Sequence, residues 1–135
     1  MTREAPSTST RTVMAELEAT LGPLVGGRVY RAPTDGAKLA TPYVTAARVP
    51  DAVAAGVTLN GRPSLTFEQW EVVVWSPNAE EAERVSQQMQ AALRGLRTKR
   101  IAGAFVRAAY DLPEPALRLR GAAHRVDFVT RELAT

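Results

Sequence analysis

The chain has 135 residues, enough for one hydrophobic core and too few for two well-built ones, and its 45% hydrophobic and 23% charged content excludes a mostly disordered, collagenous or coiled-coil protein. Cysteine is absent and His124 is the single histidine, which rules out disulfides, thiolate nucleophiles, cysteine-held zinc or iron–sulfur clusters and multi-histidine metal sites within one chain. The formal charge of +3 is unevenly spread: residues 1–93 carry eight Arg/Lys against ten Asp/Glu, whereas residues 94–135 carry nine against four.

No run of residues reaches the ~20 consecutive apolar positions of a membrane-spanning helix, and the N-terminus has no apolar signal-peptide core. Neither insertion nor signal-directed export is expected. Residues 1–7 are polar and aperiodic, which predicts a flexible arm ahead of a single domain over 8–135. Val13, Leu17 and Leu21 then recur every four residues, predicting a helix from about Ser9 to Leu21 that Gly22-Pro23 ends, with glycine in a left-handed terminal conformation. Arg28–Arg31 reads as a short strand. Tyr43–Val49, bracketed by Pro42 and Pro50, reads as a second.

Residues 51–64 contain an Asn60-Gly61 turn and few large side chains, predicting a long exposed connection. The strongest strand follows at Leu65–Trp75. Its alternation places Trp70, Val72 and Val74 on an apolar face and Phe67, Gln69, Glu71, Val73 and Trp75 on a mixed one. Two capping registers then compete, Ser76 before Pro77 or Asn78 with Glu81, and both start a helix with the apolar stripe Ala82, Val85, Met89, Ala92, Leu93 and Leu96, terminated near Gly95. Ala104–Tyr110 reads as a strand, Asp111–Pro115 as a rigid connection, and Ala123–Arg131 as a last strand with a possible extension through Leu117–Arg120. This order, α-β-β-β-α-β-β, predicts an α+β fold: a mainly antiparallel sheet of four to five strands with two amphipathic helices on one face.

The chain contains no Walker-type loop, dinucleotide fingerprint, HExxH helix, GxSxG elbow or EF-hand loop. Glu80, Glu81 and Glu83 lie where acids complement a helix dipole, so they are not read as an acid/base pair. His124 has no nucleophile or orienting acid tied to it in sequence and reads as a structural or surface histidine. Neither catalytic residues nor cofactors are expected. Arg94, Arg97, Lys99 and Arg100 form the densest basic cluster. It is read as a solvated helix end or subunit contact in preference to a phosphate-binding patch. Phe67, Val73 and Trp75 are core or a subunit interface, according to which face the helices cover. Asn60, Gly61 and Arg62, on the predicted loop, are further contact candidates.

Several local strings, taken with this element order, resemble the tail-terminator or minor tail proteins of long-tailed bacteriophages and related gene-transfer particles. They are the N-terminal amphipathic helix, Gly27-Arg-Val-Tyr-Arg31, the Pro42-Tyr-Val44 strand entry, and Phe67–Trp75 passing directly into the Glu80–Leu96 helix. The likeness runs from about Thr8 to Glu132. It implies a non-enzymatic virion protein, made in the host cytoplasm, that forms a hexameric ring at the head-proximal end of the tail, caps the tail tube and meets the head connector. DNA would pass through such a ring without being a specific ligand, so the 94–100 cluster is assigned to protein contacts. A head-closure or neck adaptor and a small basic nucleic-acid-binding domain are the alternatives.

Overall fold

The structure, a computed structural model, describes residues 8–32, 39–49, 56–59 and 62–131. The expected N-terminal arm, 1–7, lies outside the described residues. In chain order the elements are α1 (Thr8–Leu21), β1 (Val29–Arg31), β2 (Tyr43–Arg48), β3 (Gly56–Leu59), β4 (Arg62–Ser76), α2 (Ala79–Arg94), β5 (Ile101–Glu114) and β6 (Leu119–Arg131). The α+β class and the element pattern are as the sequence predicts.

Among the described residues the strands form one sheet in the order β1-β2-β4-β6-β5, parallel between β1 and β2 and antiparallel elsewhere, with β3 paired antiparallel to the first part of β4. β6 occupies the other edge of β4, so β3 continues the β2 side beyond the end of β2. The predicted exposed connection over 51–64 is therefore corrected in two places: Gly56–Leu59 is a strand, and β4 begins at Arg62. Residues 50–55 and the Asn60-Gly61 turn lie outside the described residues.

Helix α1 buries Val13, Leu17 and Leu21, the four-residue repeat visible in the sequence. It passes into a 3-10 turn, Gly22–Leu24, and the left-handed conformation falls on Gly26 (φ 61°) and Gly27 (φ 81°) instead of Gly22. Glycine suits those two positions because it reaches positive φ without the strain an L side chain would carry there. Helix α2 buries Ala82, Val85, Met89 and Leu93. Val85, Met89 and Leu93 meet Trp70, Val72 and Val74 of β4, Val44 and Ala46 of β2, and Val126 and Phe128 of β6 in a single core. The rings of Trp70 and Phe128 pack edge to face, 6.4 Å between centroids. The two helices thus cover one face of the sheet.

Strand β5 runs through Leu112 and Pro113 to Glu114, so the predicted rigid connection at 111–115 is for the most part strand. Proline is tolerated there because β5 is an edge strand whose outer N–H groups need no partner. The pairing of β5 with β6 shifts register between Ile101 and Gly103 and again between Val106 and Ala108. The first shift lets Ile101 and Ala104, three residues apart, both join the core.

Candidate interaction surface

The α2 start uses both residues of the competing capping registers. Asn78 is the N-cap, and its Oδ1 accepts from the N–H groups of Glu80 (2.9 Å) and Glu81 (3.2 Å). Buried Ser76 accepts from the Asn78 N–H at 3.1 Å and donates to the Glu81 carboxylate at 2.8 Å. Glu81 thus closes the capping box through the Ser76 hydroxyl. Gly95 caps the other end in a right-handed conformation (φ −89°).

His124 is fully buried on the helix-covered face. Its Nδ1 is 2.9 Å from the Val72 carbonyl, which can only accept, so Nδ1 carries the proton and Nε2 accepts from the Ser86 hydroxyl at 2.6 Å. Gln90 donates to the same hydroxyl at 3.3 Å. Burial lowers the His124 pKa from its ordinary 6.5, against the opposing pull of the Val72 hydrogen bond. Both ring nitrogens are thus bonded, burial favours the neutral form, and among the described residues no carboxylate is bonded to the ring. Among the described residues no group of three or more His, Cys, Asp or Glu side chains is placed to hold a metal ion. No helix among them is long and apolar enough to cross a membrane.

Among the described residues no helix covers the other face of the sheet. Along β4, β6 and β5 it presents two charged rungs. Glu71 accepts from the Tyr110 hydroxyl and pairs with Arg125 at 3.5 Å, while Arg125 also donates to Tyr110 at 3.2 Å. Asp127 takes Arg107 at 2.7 Å and Gln69 at 3.4 Å. Burial first, and the bond to Glu71 second, raise the Tyr110 pKa, so the phenol is the donor at neutral pH. Arg107 also stacks over Phe105, 5.7 Å from the ring centroid.

Aromatic residues flank these rungs. Near one end Trp75 lies across the sheet, donating its indole N–H to Thr45 Oγ1 at 2.9 Å, with Tyr43 and Tyr30 packed edge to face beside it. Toward the other end are half-buried Phe67 and Phe105, which is 51% exposed. Of the residues singled out in the sequence, Phe67, Val73 and Trp75 therefore share the open face, but Val73 is only 3% exposed and forms its floor. Arg62 begins β4, and Asn60 and Gly61 lie outside the described residues. Phe105 and Tyr110 went unnoticed in the sequence because the second register shift in β5 conceals their common side.

Arg94, Arg97, Lys99 and Arg100 are all exposed at the end of the molecule where α2 stops and β5 starts. Arg131, not singled out in the sequence, joins them: its N–H donates to the Arg100 carbonyl at 2.6 Å and its guanidinium to the Thr98 carbonyl at 3.3 Å. Acidic residues mark the opposite end of α2, at Glu80, Glu81 and Glu83.

No protein-family model matches the chain, and no curated protein matches it. Among solved structures, a chain from the virion of a native gene transfer agent (GTA) particle is similar in fold, with a TM-score of 0.57, 20% sequence identity, and 93% of this chain and 96% of that chain covered. At that identity the likeness is one of fold. It extends over essentially the whole of both chains, so it takes in the open sheet face as well as the helical layer.

Proposed function

We propose that this chain is a structural virion protein that acts without catalysis, as a tail terminator: a subunit of a ring that caps the tail tube and joins it to the head connector. The observation that carries the reading is the whole-length fold likeness to a chain of a gene transfer agent virion. The one-sided sheet supports it physically. A ring needs a heterologous interface, two different complementary patches on every subunit. The open face, with Phe67, Trp75, Phe105 and Tyr110 around paired charges, has the aromatic anchors and satisfied polar groups of one such patch.

Native mass spectrometry at increasing concentration, alone and with the tube protein, tests ring formation. The expected product is a hexamer, abolished by Phe105→Glu while the monomer stays folded. Electron micrographs of particles lacking this chain test its station in the virion. Overlong tails are expected. Tails of normal length detached from heads would instead identify a head-closure or neck adaptor.

A further inference from the structure

The ion pairs of the described residues divide the arginines into two sets. Arg48, Arg84, Arg107 and Arg125 each lie within 4 Å of a carboxylate of this chain. Arg94, Arg97, Lys99, Arg100 and Arg131, like Arg11, Arg28, Arg31, Arg118 and Arg120, pair with no carboxylate among the described residues, and it is the first five that the fold gathers at one end. Five like charges in one place repel one another, and the α2 dipole favours only the one in its last turn, Arg94.

The segment that carries them is ordered by its own bonds. Thr98 Oγ1 accepts from the N–H groups of Arg100 (3.2 Å) and Ile101 (3.0 Å), the Thr98 N–H donates to the Ile101 carbonyl (2.9 Å), and Leu96 and Ile101 are anchored in the core. Its remaining surface is Gly95, Thr98 and the cations, with no exposed apolar or aromatic side chain.

That composition discriminates between partners. A protein partner is held mainly by aromatic and aliphatic anchors, and residues 94–100 and Arg131 expose none; the rings nearest to them, Phe67 and Phe105, belong to the open sheet face. Single-stranded nucleic acid is held by stacking on aromatic rings, which the basic segment itself does not carry. The phosphate backbone of duplex DNA demands only positive charge at a suitable spacing, and it releases counterions as it is neutralised. We infer that the basic end formed by Arg94, Arg97, Lys99, Arg100 and Arg131 is a sequence-independent contact for the phosphates of duplex DNA. This replaces the assignment of the 94–100 cluster to protein contacts. Sequence-independent contacts of this kind permit sliding along the duplex, so they are compatible with DNA moving past the protein.

The test is fluorescence anisotropy with the full chain and a random-sequence 30-base-pair duplex, between 50 and 200 mM NaCl. Five neutralised phosphates predict a log–log salt slope of about −4.5, hence roughly a 500-fold loss of affinity across that range. Replacing Arg94, Arg97, Lys99 and Arg100 together by Ala is expected to bring the slope to about −1, as one remaining phosphate contact dictates. A control substitution, Arg84→Ala, leaves it unchanged. Changing Arg94, Arg97 and Arg100 together to Lys keeps the charge and is expected to keep affinity within about twofold, since phosphate contacts of this kind need charge and not a guanidinium.

Circular dichroism verifies that each variant is folded. Equal duplex binding by the four-alanine variant and the parent would overturn the inference. Tighter binding to single strands or to polyglutamate than to the duplex would also overturn it. The assay needs no oligomer, so a failure of ring formation and a failure of this contact are separate results.

Discussion

The hydroxyl of Ser86, midway along α2, and Nε2 of His124, on β6, meet at 2.6 Å beneath the helical layer. This buried hydrogen bond ties α2 to the centre of the sheet, and the second ring nitrogen of His124 ties β6 to β4 through the Val72 carbonyl. Burial demands a neutral imidazole, because protonation would bring a positive charge into the core.

That requirement makes stability depend on pH. Burial depresses the folded-state pKa of His124 below its ordinary 6.5, so between the two values the unfolded chain binds more protons than the folded one. The contribution is fully present above about pH 6.5 and is lost as the pH falls from there toward the folded-state pKa, by at most about 1.4 kcal/mol per pH unit. Urea midpoints at pH 7.5, 6.5 and 5.5 should fall in that order. The His124→Gln variant, less stable at pH 7.5, should show a flatter dependence over the same interval.

Replacing Ser86 by Ala is expected to destabilise the chain by about 1–3 kcal/mol, since it leaves a buried ring nitrogen without its donor. The check is chemical denaturation at pH 7.5, where the histidine is neutral in both states. An unchanged midpoint would show that the hydroxyl does not brace α2 against the sheet.

The N-cap of α2 gives a smaller effect. Asn78→Ala removes the acceptor for two N–H groups and should cost about 1 kcal/mol, whereas Asn78→Ser or Asn78→Asp should restore most of it. Thermal unfolding followed at 222 nm distinguishes the three variants. A loss common to all of them would indicate that the amide makes some other necessary contact.

Gly121 tests the packing of the open face. A Cβ built there lies 2.7 Å from the Leu112 carbonyl oxygen and 2.8 Å from the Trp75 ring, so Gly121→Ala should destabilise by about 1–3 kcal/mol through overpacking. Shortening the indole with Trp75→Leu should not rescue it, because the nearer obstacle is backbone. A double-mutant cycle in urea measures this directly, and full rescue would place the obstruction in the indole alone.

The features legible in the sequence are those set by local physics. The α1 repeat, the α2 stripe with its cap, and the two faces of Leu65–Trp75 follow from periodicity and from hydrogen bonds a few residues long, and they persist whatever the helix or strand packs against. Gly56–Leu59 was invisible as a strand because it has few large residues and is defined by its pairing with β4. Pro113 reads as a strand breaker until the topology places β5 at an edge. Asn60 and Gly61 are a turn signal in sequence terms and lie outside the described residues.

The amino-acid order alone determined the fold class, both helices and the middle of every strand except β3, the lack of cysteine and the concentration of basic residues in the last third. The tertiary structure decided which of those residues act together. Strand register and the two shifts in β5 choose the face that Phe105 and Tyr110 share, and antiparallel pairing of β5 with β6 sets Arg131 beside Arg100. The reason is distance along the chain. Helix periodicity and caps operate within one or two turns, whereas a surface patch is assembled by pairings between residues tens of positions apart, which no local pattern encodes.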